Sequence, residues 1–327
     1  MPRWTVGIVL VVAAVLALGG YRMFTTPSPA GDEFAQDRAP AAAGAVAFDG
    51  KRAMGYLEEI CKLGPRMSGT ESMTKQQELV KKHFEACGAT VELQKFTARQ
   101  ASQKKPVDMA NLIGSWHPER MRRVILCSHY DTRPIADQEE NIRKWHEPFI
   151  SANDGGSGVA LLMELANHMK ELKTDIGVDF VLFDGEEYIF DPEPGHDKYF
   201  FGSEHFAQMY QRDRPKHRYI GAVLLDMIAG KNLQIPIEEH SLMQARALVD
   251  DLWNIAAELK CTVFQNRPGE ALLDDHLALN RAGIPAVDLI DFHYPHWHRL
   301  SDIPANCAPE GMSQVARVLS VWLQRVK

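Results

Sequence analysis

The sequence Asp-Gly-Glu-Glu at residues 184–187 is the stretch most suited to chemistry. It directly follows residues 178–183, an apolar run with β-branched and aromatic side chains that is typical of a buried strand. Carboxylates at the end of a buried strand need a cationic partner, because a packed interior does not tolerate uncompensated charge. Adjacent glutamates also allow one side chain to bind a metal ion while its neighbour transfers protons. Taken alone, the stretch could also be a solvated acidic turn.

Other candidate residues each have an ordinary structural explanation when they are considered singly. His129 could be a hydrogen-bonded histidine of the core, and Asp154 could cap the helix that follows it. Asp226 could accept hydrogen bonds from a neighbouring loop. His298 belongs to a group of closely spaced histidines that could lie on the surface.

A metal site explains these residues better as a set. Asp154, Glu187 and His298 offer carboxylate and imidazole ligands, which suit zinc and leave a fourth position open. An open position is typical of a catalytic site rather than a structural one. Glu186, next to a ligand, is then placed to act as general base and acid.

Apolar strands and helices alternate along the chain and must position these side chains. This alternation predicts one α/β domain with a largely parallel sheet. The predicted strands are residues 90–97, 108–116, 123–128, 178–183, 220–225 and 284–290. The predicted helices are residues 53–63, 73–86, 159–172, 203–210, 241–259, 275–281 and 310–326.

The candidate residues follow the predicted strands at their carboxyl ends. His129 and Asp131 follow one strand, residues 184–187 the next, Asp226 another, and further polar residues lie beyond Ile290. In parallel α/β sheets the ligand crevice lies outside the carboxyl ends of the strands. We therefore expect these side chains to meet in one site.

The amino-terminal region differs from the rest of the chain. Residues 6–20 are uninterrupted apolar sequence, which predicts a membrane anchor or a signal segment over residues 1–24. Residues 25–47 are rich in proline, alanine, glycine and charge and are interpreted as a flexible linker. The catalytic domain, residues 48–327, would then lie outside the cytoplasm, anchored to the membrane or secreted if the segment is cleaved.

Composition limits the classes of partner. The net charge of −7 and the lack of a basic stripe argue against nucleic acid, so we expect small molecules or peptides. Five cysteines are too few for a disulfide framework, although Cys61 and Cys87 could pair. No CxxC spacing is present, so cysteine is not expected to bind the metal.

Six short motifs together resemble the zinc-dependent exopeptidases and the glutaminyl cyclases that share their fold. They occur in the order found in these families and cover roughly residues 50–327. The motifs are HYD at 129–131, NDGG at 153–156, DGEE at 184–187, LLDM at 224–227, DDH at 274–276 and WH at 297–298. The resemblance implies a three-layer α/β/α domain with a mixed, largely parallel central sheet.

The two branches of this resemblance imply different metal sites. In a cyclase, one zinc ion would be held by Asp154, Glu187 and His298. In an aminopeptidase, a second ion would be held by His129 and Asp226, with Asp154 bridging the two ions.

Several residues bear on the choice between the branches. Trp297 before His298, the doubled Asp274–Asp275 and Leu224 are similar to the cyclases, whereas residues 153–158 are similar to the aminopeptidases. The balance favours the cyclase. A non-catalytic module of the same fold is a third hypothesis, but the intact Glu186 argues against it.

The cyclase resemblance implies that an amino-terminal glutamine of a peptide or protein closes to pyroglutamate with loss of ammonia. Glu186 would transfer the proton, and Asp226 and Asp275 would orient the Glu186 side chain and share protons with it. Trp297 would form an apolar wall for the substrate. The aminopeptidase resemblance implies instead that a two-zinc site activates water and removes the amino-terminal residue.

Overall fold

Strand β3, Arg122–His129, is apolar on both faces because it lies inside the sheet. Val124 and Leu126 pack into one core, while Ile125 and Cys127 pack into another, and all four are 0% exposed. Such a run is typical of a strand that is covered on both sides. The structure is a computed structural model and describes residues 44–327.

The described residues contain eight strands and eight α-helices. The other strands are β1 Thr90–Ala98, β2 Val107–Trp116, β4 Gly177–Phe183, β5 Arg218–Asp226, β6 Ile235–Ile237, β7 Phe264–Pro268 and β8 Ala286–Ile290. The helices are α1 Gly50–Cys61, α2 Glu71–Ala86, α3 Ser157–Ala166, α4 Phe201–Asp213, α5 Glu239–Gln244, α6 Arg246–Glu258, α7 His276–Arg281 and α8 Pro309–Arg325.

Six of these strands form a mixed sheet in the order β1-β2-β4-β3-β5-β8. Strands β4, β3, β5 and β8 are parallel to one another, whereas β2 is antiparallel to both β4 and β1. The prediction of an α/β domain with a mixed, largely parallel sheet is therefore confirmed.

Helices cover both faces of the sheet. Buried side chains of α1, α2, α3, α6 and α8 share one apolar cluster with the inward side chains of one sheet face. Phe206 of α4 and Leu279 of α7 belong to the cluster on the opposite face. The three-layer arrangement is confirmed.

The structure departs from the predicted elements at a few positions. The helix predicted for residues 159–172 ends as α3 at Ala166, because the next amides bond to carbonyls three residues back. The helix predicted for residues 241–259 breaks at Ala245, whose φ of −135° and ψ of 37° are not helical. Strands β6 and β7, which form a small parallel sheet of their own, were not predicted.

The predicted membrane segment, residues 1–24, lies outside the described residues, as does most of the predicted linker, residues 25–47. Within residues 44–327, no helix has the length and apolar character needed to cross a membrane. All five cysteines are free thiols, so the pairing of Cys61 with Cys87 is not made. Cys61 is buried at the end of α1, and the Cys87 thiol lies 3.6 Å from the Asn167 side-chain oxygen.

Candidate metal centre and active site

Three neighbouring parallel strands deliver polar side chains to one edge of the sheet. β3 ends at His129, β4 is followed by Asp184, and β5 ends at Asp226. In register, His129 lies opposite Phe183, the last residue of β4. The structure thus brings together the residues that the strand pattern predicted to meet.

Asp154, Glu187 and His298 form a tight buried group. Their nearest ligand atoms lie within 4.8 Å of one another. His298 Nε2 is 3.1 Å from Glu187 Oε2 and 3.5 Å from Asp154 Oδ2. These distances are close enough for one ion to contact all three side chains.

His129, Asp154 and Asp226 form a second group of the same kind. His129 Nε2 lies 3.0 Å from Asp154 Oδ1 and 3.4 Å from Asp226 Oδ1. Asp154 therefore turns one oxygen toward His129 and the other toward His298, which is the arrangement expected of a carboxylate able to bridge two ions.

A cation fits these two groups on physical grounds. Asp154 Oδ2 and Asp226 Oδ1 are buried without a hydrogen-bond donor among the described residues. A buried carboxylate oxygen without a partner carries a large desolvation cost. Imidazole and carboxylate are also the donor types that suit zinc.

The loop before α3 presents Asp154 in a fixed position. The Asp302 carboxylate accepts hydrogen bonds from the amides of Asn153 at 2.9 Å and Asp154 at 3.1 Å. Gly155 has a φ of +67°, and a Cβ there would lie 2.6 Å from the Asp131 carbonyl oxygen. Only glycine fits this close approach without rearrangement.

Asp137 is the carboxylate that faces the far side of the His298 ring. Its Oδ1 lies 2.9 Å from His298 Nδ1, on the side opposite the candidate ion. Burial and Arg133 oppose protonation of His298, but Asp137 and Glu187 outweigh them and raise its pKa to about 9. Asp302, although it is close to His298 in sequence, instead binds the loop amides and the Tyr294 hydroxyl.

The turn after β4 is held by Asp131. Its carboxylate accepts hydrogen bonds from the amides of Glu186 at 3.0 Å and Glu187 at 3.2 Å. Glu187 Oε1 in turn accepts a hydrogen bond from the Arg133 amide at 2.9 Å. Burial and the charge of Asp154 raise the pKa of Glu187 to about 7.

Asp184, the first carboxylate of the Asp-Gly-Glu-Glu turn, supports the structure around it. It accepts hydrogen bonds from the Ser68 hydroxyl at 2.6 Å and the Ala110 amide at 2.9 Å. The three carboxylates that looked alike in sequence therefore have different environments.

Glu186 lies beside the metal groups and faces other acids. Its side chain is 14% exposed, so it is the acid of this turn that is open to a bound substrate. Burial raises its pKa well above the usual range, and Asp274 and Asp275 add to the rise while His129 opposes it. Burial likewise raises the pKa of Asp275 to about 7 and raises that of Asp226. A group with a raised pKa can carry a proton near neutral pH.

Trp297 forms an apolar surface next to the candidate ligands. Its ring stacks on His298 at a centroid distance of 4.0 Å and contacts Phe292 at 5.0 Å. The cyclase resemblance implied that Trp297 forms an apolar wall for the substrate, and this role stays a prediction.

Three of the seven described non-glycine residues with positive φ lie next to the site. Ser151, Met227 and His298 have φ values of 52°, 49° and 50°, although none is glycine. Such conformations cost about 1–3 kcal/mol each and cluster at functional sites.

Two residues of the site, Arg133 and Asp137, were missed from the sequence. They lie in residues 133–151, a polar stretch in which no helix or strand is predicted, yet Arg133 Nη2 lies 2.8 Å from Asp137 Oδ2 and both side chains are largely buried. Their spacing of four residues was the one available signal, and it is too common to identify a site.

Comparison with known proteins places this geometry in a family. Residues 111–323 match Peptidase family M28. The crystal structure of a glutaminyl cyclase from Fimbriiglobus ruber is 52% identical, with a TM-score of 0.85 over 86% of this chain and 97% of that chain. A leucine aminopeptidase precursor from Bacteroides thetaiotaomicron is 28% identical, with a TM-score of 0.80 over 86% of this chain and 99% of that chain.

A protein from an animal also matches. The glutaminyl-peptide cyclotransferase-like protein of Mus musculus is 27% identical over 285 residues, which cover 79% of this chain and 70% of the mouse protein. By the extent of the family match and the identity to a glutaminyl cyclase, the chain belongs to Peptidase family M28 and, within it, to the glutaminyl cyclases.

Proposed function

We infer that the chain is a zinc-dependent glutaminyl-peptide cyclotransferase, an acyltransferase that converts an amino-terminal glutamine of peptides or proteins to pyroglutamate and releases ammonia. The observation that carries this inference is the 52% identity to a glutaminyl cyclase across 97% of that protein. The acid Glu186 beside a three-residue ligand group supports it chemically.

One zinc ion would be held by Asp154, Glu187 and His298. When bound, it supplies Lewis acidity that makes the side-chain amide carbon of the substrate more electrophilic. Asp137 would keep the His298 ring in a ligating orientation, as carboxylates commonly do for zinc-bound histidines.

Glu186 would carry the proton of the reaction. The α-amine nitrogen bonds to the amide carbon of the glutamine side chain, and the bond from that carbon to the amide nitrogen breaks. Glu186 accepts a proton from the amine and passes it to the departing nitrogen, which leaves as ammonia. The reaction consumes no water.

The neighbouring acids would keep Glu186 in a state able to exchange a proton. Burial favours the protonated form of Glu186, and the negative charges of Asp274 and Asp275 add to this effect. Asp226 and Asp275, both buried, would orient Glu186 and share protons with it. Trp297 and Phe292 would provide the apolar wall against which the substrate is positioned.

An aminopeptidase with two ions is the second candidate. The His129, Asp154 and Asp226 group and the two-sided position of Asp154 favour it, as does the similarity to a leucine aminopeptidase precursor. In that case Glu186 would take a proton from water, and the amino-terminal residue would be removed.

Mass spectrometry distinguishes the two reactions, because their peptide products differ in mass. The zinc-loaded full-length chain is incubated with a glutamine-initiated peptide and with its leucine-initiated counterpart. A loss of one ammonia from the first peptide, with neither peptide shortened, is the expected result. Removal of the leucine without cyclisation of the glutamine peptide would overturn the assignment.

For the amino terminus we propose an anchor or signal segment at residues 1–24 and a linker at 25–47, with the catalytic domain outside the cytoplasm or secreted. The apolar sequence of residues 6–20 supports this proposal. Extraction of cell membranes at alkaline pH tests it, since an anchored chain stays with the membrane and a cleaved one does not.

A further inference from the structure

Arg66 is a buried arginine whose guanidinium bonds only to backbone carbonyls. The residue is 0% exposed. Its Nη1 donates to the carbonyls of Ile150 at 2.7 Å and Gly64 at 3.3 Å, and its Nη2 donates to that of Ser151 at 2.9 Å. No carboxylate among the described residues lies within ion-pair distance of the guanidinium.

A buried charge of this kind is costly, because carbonyl dipoles replace only part of the hydration that burial removes. A side chain that only filled space could be apolar. The carbonyl partners show which part of the chain the charged side chain holds in place. Ile150 and Ser151 lie just before Asp154, and Ser151 has the strained φ of 52°.

The backbone of Arg66 is tied to the second loop of the site. Its amide donates to Thr132 Oγ1 at 3.1 Å, and the Thr132 amide donates to its carbonyl at 3.2 Å. Thr132 lies between Asp131, which binds the amides of the Glu186–Glu187 turn, and Arg133, whose amide binds Glu187.

We propose that Arg66 is a positioning residue that sets the distance between the two carboxylate ligands, Asp154 and Glu187, and thereby the zinc affinity of the site. Its side chain fixes the loop that carries Asp154, and its backbone fixes the loop that holds Glu187. The proposal rests on the ligand set proposed above.

Lysine at position 66 cannot reproduce the hydrogen bonds of the arginine side chain. The arginine fork presents separate nitrogens to carbonyls of consecutive residues, whereas an ammonium group is a single point. Arg66→Lys keeps the charge and most of the side-chain length, so it tests the fork rather than the charge.

Arg120 offers a matched control. Its Nη1 also bonds to two backbone carbonyls, those of Thr174 at 2.6 Å and Ile176 at 2.8 Å. Arg120 precedes β3, and its partners precede β4, so this contact lies at the opposite end of the parallel strands from the site.

The experiment measures zinc affinity in the full-length chain by competition with a chromophoric chelator. We expect Arg66→Lys to raise the zinc dissociation constant about tenfold or more, because losing a contact that orients metal ligands commonly weakens metal binding by this much. Arg120→Lys should leave the dissociation constant unchanged. Turnover of a glutamine peptide by Arg66→Lys should recover when zinc is raised, with the KM at saturating zinc unchanged.

A second variant covers the case in which Arg66→Lys does not fold. Thr132→Val removes the hydroxyl that accepts the hydrogen bond from the Arg66 amide but keeps the shape of the side chain. This variant should also raise the zinc dissociation constant. Wild-type zinc affinity in whichever of these two variants folds would overturn the proposal. A wild-type chain that binds no zinc would instead refute the ligand set of the proposed function.

Discussion

Replacing Glu164 with glutamine should destabilise the domain at neutral pH and have little effect in acid. Glu164 lies on α3, and its side chain is 0% exposed. It accepts hydrogen bonds from Arg52 Nη2 of α1 at 2.7 Å and from the Asp49 amide at 3.0 Å. The carboxylate therefore joins α1 to the helix that follows the Asp154 loop.

The size of the effect follows from the pKa of this carboxyl. Burial opposes ionisation, but hydrogen bonds from His168 and Arg52 outweigh it and lower the pKa of Glu164 from 4.5 to about 2. Such a difference corresponds to at most about 3 kcal/mol of unfolding free energy. Because the Arg52 side chain is 45% exposed and screened by solvent, we expect about 2 kcal/mol.

The sign of the pH dependence is fixed by the lowered pKa. The unfolded chain binds the proton more readily, so the contribution is complete above the ordinary pKa of 4.5 and is lost as the pH falls toward about 2. At the acid end a protonated Glu164 resembles glutamine, and the two proteins should have nearly equal stability.

Urea unfolding of the metal-free wild type and Glu164→Gln, measured from neutral to acid pH, tests this reasoning. Glu71→Gln is the control, because Glu71 forms an exposed ion pair with Lys75 at 2.7 Å and should show no resolved pH-dependent difference. A difference between wild type and Glu164→Gln that stayed constant across the pH range would refute the assignment to the carboxylate charge.

Three further substitutions concern the site itself. Glu186→Gln should lower kcat by a factor of about 10²–10⁴ while metal analysis finds unchanged zinc, and a folded variant with full activity would contradict both enzyme hypotheses. Asp137→Asn should raise the zinc dissociation constant by about 10- to 100-fold in a chelator competition, because His298 loses its carboxylate partner. Trp297→Ala should raise the KM for a glutamine peptide more than it lowers kcat at saturating zinc; a change in kcat alone would contradict its role as a binding wall.

The strand ends could be predicted from the sequence because they follow from general rules of sheet architecture. Apolar runs predict buried strands, and parallel strands bring their carboxyl ends to one edge. That was sufficient to bring His129, Glu187 and Asp226 together. The assignment of individual roles to these residues stays a prediction.

Asp154 and His298 needed more than a strand pattern. They lie in loops, and no periodicity indicates that a loop before α3 and a loop after β8 come into contact. Ligand types in a suitable combination indicated that these residues form one set, and the resemblance to known zinc enzymes supported it. Neither could give the distances.

Asp137 and Asp302 show where sequence proximity is misleading. Asp302 is near His298 in sequence but binds the loop of Asp154, while Asp137 is remote in sequence and lies 2.9 Å from the His298 ring. The segment containing Asp137 returns to His298 through a hydrogen bond from the Gln138 amide to the His298 carbonyl at 3.2 Å. Such a tertiary contact leaves no local pattern in the chain.

The five free cysteines leave the described domain without a covalent cross-link. The proposed zinc ligands come from three loops that are far apart in sequence, so an unfolded chain cannot present them together. A bound ion would therefore join the Asp154 loop, the turn after β4 and the segment after β8 much as a disulfide would. Its stabilising effect would grow with the free zinc concentration, since it would bind only the folded chain. Metal supply would thus govern the lifetime of the folded protein as well as its turnover.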